Sequence, residues 1–232
     1  MIREEPSFAE YKRRWPDAYR AFHERPGLAG YFLKKSHEWA ERPFGSAAHF
    51  ARVLEVGAGN GMHIQFVRHG FDEYVMTDLD LEPLKGAKLP PGARGVRVEA
   101  ADATSLPYPD GHFDRVIAAH VLEHLVDPHV VLREWHRVLS PRGILTIVLP
   151  CDPGVAWRIG RAVGSRQRFI DVGIDYDYWM SREHVNPINN LVAFIRYYFR
   201  DLEEHWLPFH VPSMDVNLFY VVHVRGGAPG AR

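Results

Sequence analysis

The sequence predicts an α/β protein built on a doubly wound, mostly parallel sheet. Short β-prone apolar runs alternate with helical stretches from residue 53 to residue 150. The first run enters a turn with glycine at every second position, and two more β-prone runs close the chain. Parallel strands need crossover connections, so such alternation lays helices over a parallel sheet.

The strands are read in order. Residues 53–56 (Val-Leu-Glu-Val) form the first, 74–77 the second, 96–99 the third, 113–119 the fourth and 143–149 the fifth. Helical stretches are expected between them, one of them directly after the glycine turn. The clearest covers residues 128–139: Pro128 stands early, where its missing N–H is harmless, and Ser140-Pro141-Arg142-Gly143 ends it. An amphipathic helix at 189–199 precedes the closing runs, 204–211 and 218–224, which bring the sheet to seven strands.

Two segments break the rhythm. Residues 1–50 read as an N-terminal helical cap. Phe8, Tyr11, Trp15, Tyr19 and Phe22 recur at three- and four-residue steps, Pro16 divides two short helices, and a further helix runs over 28–42. Residues 151–181 hold Arg158, Arg161, Arg166 and Arg168, then Asp171, Asp175 and Asp177 interleaved with Tyr176, Tyr178 and Trp179. This stretch reads as a lid insert in a main domain of residues 51–225, its charges either paired with one another or offered to an acceptor. Residues 226–232 read as a disordered tail.

Composition narrows the function classes. With 28 Lys+Arg against 29 Asp+Glu the chain has a formal net charge of −1, so no basic face for a nucleic-acid backbone is expected. A single cysteine, Cys151, excludes a disulfide framework or a cysteine-rich zinc site. The 14 histidines show no His-Glu-x-x-His pattern, and no metal ligand is expected. There is no secretory leader and no run long enough for a membrane span, so a cytoplasmic protein is expected.

The chemistry concentrates in Glu55-Val56-Gly57-Ala58-Gly59-Asn60-Gly61. Residues without side chains let a backbone approach a ligand closely and adopt positive φ. A dinucleotide fingerprint would place its last glycine at Met62, and a phosphate loop would need Gly-Lys-Ser/Thr; neither is present. Asp78 closes the second strand, where a carboxylate accepts from ribose hydroxyls, with Asp80 as the alternative. Asp102 follows the third strand, placed to accept from an exocyclic amine.

Taken with Leu106-Pro107-Tyr108-Pro109-Asp110-Gly111-His112-Phe113-Asp114, Val121-Leu122-Glu123-His124-Leu125 and Arg133-Glu134-Trp135-His136-Arg137-Val138-Leu139-Ser140-Pro141-Arg142-Gly143, these motifs resemble the class I S-adenosylmethionine-dependent methyltransferases, type 11 family, over residues 50–150. The resemblance implies a Rossmann-like seven-stranded sheet with a reversed last strand, which the closing pair of strands supplies. It implies that Glu55 and the Gly57, Ala58, Gly59, Gly61 loop hold the methionine part of S-adenosylmethionine, Asp78 with Leu79 beside it the ribose, and Asp102 with Ala103 the adenine.

Methyl transfer from a sulfonium is an in-line displacement, so alignment of the acceptor supplies much of the rate. His120, at the end of the fourth strand, is the first candidate to touch the acceptor, and His184 the second. Glu123 and His124 read as local helix structure, and Cys151 as an inert buried thiol. A small-molecule acceptor is expected. The alternatives are a protein or RNA methyltransferase, or a non-methylating user of the fold such as an aminopropyl transferase or a cofactor-binding regulator.

Overall fold

The computed structural model describes residue 10, residues 13–14, 27–171 and 173–226. The aromatic stripe of the N-terminus, the Pro16 break and residues 227–232 of the tail lie outside the described residues. The described helices and strands are α1 (Leu28–Glu41), β1 (His49–Val56), β2 (Gly70–Asp78), β3 (Val96–Ala100), β4 (Phe113–Ala119), α2 (Pro128–Val138), β5 (Leu139–Pro150), α3 (Val155–Gly160), α4 (Arg166–Asp171), α5 (Tyr176–Glu183), α6 (Ile188–Tyr198), β6 (Leu202–Leu207) and β7 (Phe219–Arg225).

The seven strands form one sheet in the order β3-β2-β1-β4-β5-β7-β6. The first five run parallel, and β7 lies antiparallel between β5 and β6. The expected fold class and the reversed strand are therefore present. The strand reversal from β1–β2 to β1–β4 opens a crevice at the carboxyl ends of β1 and β4, where ligands bind in such sheets.

The crossovers differ from expectation. The glycine turn leads into a single 3-10 turn, His63–Phe66, and another, Pro83–Gly86, is the only helical turn between β2 and β3. The reason is local. Gly57, Gly59 and Gly61 all take positive φ, so the chain stays out of helical geometry until Met62, and β2 begins at Gly70. The second crossover is broken by Pro90-Pro91-Gly92. Strand β5 also starts earlier than residue 143: Leu139 pairs with Phe113, the pairing shifts, and Ile144 resumes opposite Arg115. Strand β6 ends at Leu207 rather than reaching residue 211, because Pro208 offers no N–H to the ladder.

One sheet face packs on α2 and α6 through an apolar cluster that includes Leu54, Val116, Trp135, Leu145, Leu191 and Ile195. On the opposite face, where the first two crossovers supply no α-helix, α1 lies across β5, β7 and the His63–Phe66 turn. Its inward residues are Ser36, His37, Ala40 and Glu41, a polar stripe at helical spacing. The sheet answers with buried Arg115, Thr146 and His223. Arg115 Nη1 and Nη2 donate to Glu41 Oε2 and Oε1 at 2.9 and 2.5 Å, and the guanidinium lies 3.9 Å from the Phe44 ring centroid. His63 Nε2 meets the same carboxylate at 2.8 Å. No described helix is long and apolar enough to cross a membrane.

Two stability predictions follow from this layer. Arg115→Met leaves Glu41 buried without its counter-charge and should cost about 3–5 kcal/mol in urea unfolding; a loss within about 0.5 kcal/mol, as at ordinary surface sites, would show that the pair does not anchor α1. The second concerns pH. Burial, with the nearby Arg115 charge, holds His69 down to about 4 and His223 down to about 3. Both folded pKa values lie below the unfolded value, so their contribution is present above about pH 6.5 and is lost as pH falls from there towards 4 and 3 respectively. Each loses up to about 1.4 kcal/mol per pH unit in that window. The urea midpoint should fall from pH 7 to pH 5, and less steeply in His223→Asn.

Candidate active site

Strand β1 delivers Glu55 and Val56 to the carboxyl edge of the sheet, and the glycine turn folds back over it. Gly57 has φ 66° and Gly61 φ 72°. A Cβ on Gly57 would lie 2.5 Å from Val121 Cγ2, and one on Gly61 2.7 Å from the Ala87 Cβ. Both positions thus need glycine for backbone shape and for close packing. Ala58 is buried behind the turn, its N–H donating to the Thr77 carbonyl at 2.9 Å. The Gly59 N–H donates to Asp78 Oδ2 at 2.9 Å, tying the turn to the end of β2.

Asp78 lines the main cavity and also accepts from the Asp80 N–H at 3.2 Å. Asp80 does not line the cavity; its carboxylate caps the next turn through Glu82 N–H at 3.0 Å. Leu79 is 79% exposed on the cavity rim, an apolar surface that a flat ring would cover. Asp102 accepts from Thr104 N–H and Oγ at 2.8 and 2.7 Å, which lowers its pKa, and stands beside Ala103 in the cavity wall. Glu55 also lines the cavity, but it is buried and accepts from the Tyr74 hydroxyl at 2.7 Å. Burial raises its pKa. Glycine turn, Asp78, Leu79, Asp102 and Ala103 thus form a continuous wall with a loop open for a ligand's amino-acid end, a carboxylate for a diol and an apolar ledge for a base. These residues fit S-adenosylmethionine.

His120 ends β4 with φ 60°, a left-handed conformation rare outside glycine. Its Nε2 lies 2.9 Å from Ser36 Oγ of α1, and Ser36 Oγ donates to the Leu33 carbonyl, so the hydroxyl hydrogen is committed and the imidazole donates from Nε2. The ring packs edge-on against His37 and Phe219. Burial, then the neighbouring histidines, holds His120 well below the usual histidine range; the ring keeps 18% exposure towards the cavity, and it is neutral near pH 7. That makes it a hydrogen-bonding wall rather than a strong proton acceptor.

Glu123 and His124 lie in a 3-10 turn, Leu122–His124, directly after His120. Glu123 is 2% exposed, its Oε2 has no hydrogen-bond partner, and burial pushes its carboxyl up to about 7. His124 Nδ1 meets the Glu183 carbonyl at 2.9 Å, and His184 Nδ1 meets Asp152 Oδ2 at 2.8 Å. The Glu123, His124 and His184 ligand atoms lie within 4.8 Å of one another. No metal ligand is expected from the sequence. The available signal was His120-x-x-Glu123-His124, whose steps of three and four bring side chains together in a turn; the third member, His184, is distant in sequence. Cys151 is buried and burial pushes its thiol up to about 12, in keeping with an inert group.

Every site residue expected from the sequence except Gly61 borders one cavity of about 960 Å³, and Glu123 and His124 border it too. Phe32, Leu33 and His37 of α1 form one side, and Trp157, Phe169 and Trp179 of the 151–181 segment another. Two of the segment's arginines pair within it, Arg161 with Asp152 at 3.3 Å and Arg166 with Asp177 at 2.7 Å, while Asp175 caps α5. The Arg168 side chain lies outside the described residues.

Residues 54–147 match a model of the methyltransferase domain. Among curated proteins, 2-methyl-6-phytyl-1,4-hydroquinone methyltransferase 1 of Oryza sativa subsp. japonica is 33% identical over 127 residues, covering 53% of this chain and 38% of that protein. Malonyl-[acyl-carrier protein] O-methyltransferase of Laribacter hongkongensis is 36% identical over 106 residues, covering 41% of this chain and 36% of the relative. The matches span less than two fifths of either relative's length. Among solved structures, the N-methyltransferase NodS of Bradyrhizobium japonicum shares the fold with a TM-score of 0.59 at 14% identity, covering 85% of this chain and 97% of that one.

Asp78 is the carboxylate to test. Asp78→Ala should weaken S-adenosylhomocysteine binding by about 1.5–3 kcal/mol in calorimetry, while Asp80→Ala leaves it unchanged. The reverse order would move the ribose contact to Asp80.

Proposed function

We propose, from the premise that residues 54–147 match a methyltransferase domain, that this chain transfers a methyl group from S-adenosylmethionine to a small-molecule acceptor. One observation carries the reading: a single cavity of about 960 Å³ joins the glycine turn and Asp78 to a chamber walled by aromatic side chains. Its size suits a compact ligand beside the cofactor. The relative named for 2-methyl-6-phytyl-1,4-hydroquinone methylation supports a small acceptor, and the one named for malonyl-[acyl-carrier protein] supports a small acyl group as the methylated part.

S-adenosylmethionine supplies an electrophilic methyl carbon on a good leaving group. The chain's own task is alignment. The glycine turn and Glu55 hold the methionine end, Asp78 the ribose, and Asp102, Ala103 and Leu79 the adenine. His120 faces the acceptor from the end of β4, steadied by Ser36, and His184 lines the far side. Phe32, Trp157 and Trp179 keep water from the reacting centre and favour an acceptor with a flat or apolar body. The 151–181 segment and α1 together form the acceptor cover.

Mass spectrometry should detect S-adenosylhomocysteine and a methylated product when the protein is incubated with S-adenosylmethionine and a panel of phenols, quinols, amines and acyl thioesters. Absence of S-adenosylhomocysteine binding by calorimetry, or product formation only on protein or RNA, would overturn the reading. With an acceptor in hand, His120→Ala should lower turnover about tenfold, the loss of one positioning hydrogen bond of about 1–1.5 kcal/mol, with cofactor affinity intact.

A further inference from the structure

We propose that Glu123, His124 and His184 bind a divalent first-row transition-metal ion on the acceptor side of the cavity, and that this ion docks an acceptor through oxygen. The three ligand atoms come from two segments, the turn after β4 and the end of α5, and lie within 4.8 Å of one another. Small side-chain rotations bring such a set to coordination distance, about 2.0–2.2 Å from a common centre.

Three features mark it as a built site. Glu123 is buried, and its Oε2 has no hydrogen-bond partner. A buried carboxylate oxygen left bare is costly and calls for a counterpart. Both histidines are oriented from behind. His184 donates from Nδ1 to Asp152 Oδ2 at 2.8 Å, and Asp152 is held in turn by Arg161 at 3.3 Å. His124 donates from Nδ1 to the Glu183 carbonyl at 2.9 Å. Each Nδ1–H is thus spoken for, leaving the Nε2 lone pair to bind; His124 Nε2 lies 3.9 Å from Glu123 Oε1. An outer acceptor that fixes the tautomer of a ligating histidine is the usual support of a metal site. Two imidazoles and one carboxylate select manganese, iron, cobalt or zinc over magnesium and calcium.

The site opens where the proposed reaction needs it. Glu123, His124 and His184 border the same cavity as the glycine turn, and three protein ligands leave coordination positions for an acceptor. This role rests on the methyl-transfer reading. An alcohol or phenol bound to the ion loses its proton to solvent more readily. Its oxygen lone pair forms the O–CH₃ bond as the C–S bond breaks, and the sulfonium leaves as a neutral thioether. The substrate class is therefore an oxygen acceptor that chelates or ligates a divalent cation, such as a vicinal diol, an ortho-diphenol or a hydroxy acid.

The test is binding of the ion itself. Chelator-treated protein is titrated with Co²⁺, read by its visible ligand-field bands, and with Mn²⁺, read by loss of the free-ion electron paramagnetic resonance signal. One ion per chain is expected. Glu123→Gln and His184→Asn should each abolish saturable binding, and Asp152→Asn, a positioning change, should weaken it about 10–100-fold. S-adenosylhomocysteine affinity, measured on the same samples, should be unchanged in all three. His184→Asn, at the cavity surface, carries the test if Glu123→Gln does not fold. No saturable Co²⁺ or Mn²⁺ binding, binding that survives His184→Asn, or a preference for Mg²⁺ over both ions overturns the proposal. A protein that binds the ion at this site but not S-adenosylhomocysteine would overturn the methyltransferase reading and leave the metal site standing.

Discussion

The buried pair between Glu41 and Arg115 sets the geometry on which the cavity depends. Arg115 stands near the start of β4 and His120 just past its end; on α1 the corresponding partners are Glu41 and Ser36. Helix and strand therefore run in opposite senses and are pinned at both ends, once by an ion pair and once by a hydrogen bond. A buried ion pair gains little over apolar packing in free energy. What it supplies here is rotation: only one turn of α1 about its axis puts Glu41 on Arg115, and that turn also aims Phe32, Leu33 and His37 into the cavity. The Phe44 and Phe50 rings, 3.9 and 5.3 Å from the guanidinium, close the pair from water.

This arrangement compensates for thin crossovers. A doubly wound sheet needs both faces covered. Between β1 and β3 the chain spends its length on the glycine turn and on a proline-rich loop, leaving two 3-10 turns. The N-terminal helix then covers the open face, and a polar stripe of α1 meets a polar stripe of sheet. Histidines fill that layer because a neutral imidazole donates and accepts at once. His37 and His63 contact through their Nδ1 atoms at 3.0 Å, and His63 passes the contact on to Glu41.

Legibility in the sequence follows the range of the physics. The strands and the glycine turn are readable because period-two apolarity and closely spaced glycines are local signals, and Asp78 and Asp102 reach the cavity wall because each stands at the end of a readable strand. The register shift after Leu139 and the lost crossover helices are not readable, since each depends on how many residues remain once a neighbouring turn has taken its share. The inward face of α1 gave no apolar stripe, so its docking face was hidden. The association of Glu123 and His124 with His184 needs the whole 151–184 excursion to fold back, and no spacing rule covers that. The family match ends at residue 147, while α1 and the 151–181 segment supply much of the chamber that would hold an acceptor.

The parts of the cavity proposed for cofactor and acceptor nevertheless meet in one short stretch. His120 turns the chain with φ 60°, Val121 packs where a Gly57 side chain would stand, and Glu123 swings to the acceptor side. The missing Cβ of Gly57 thus does two jobs. It lets the backbone approach a ligand, and it lets Val121 sit low enough for His120 and Glu123 to reach their places. A methyl group added there would have to displace Val121, and the shift would reach, two residues on, the Glu123 carboxylate facing His124 and His184. The glycine of the proposed cofactor loop is for that reason also a constraint on the geometry of the proposed acceptor site.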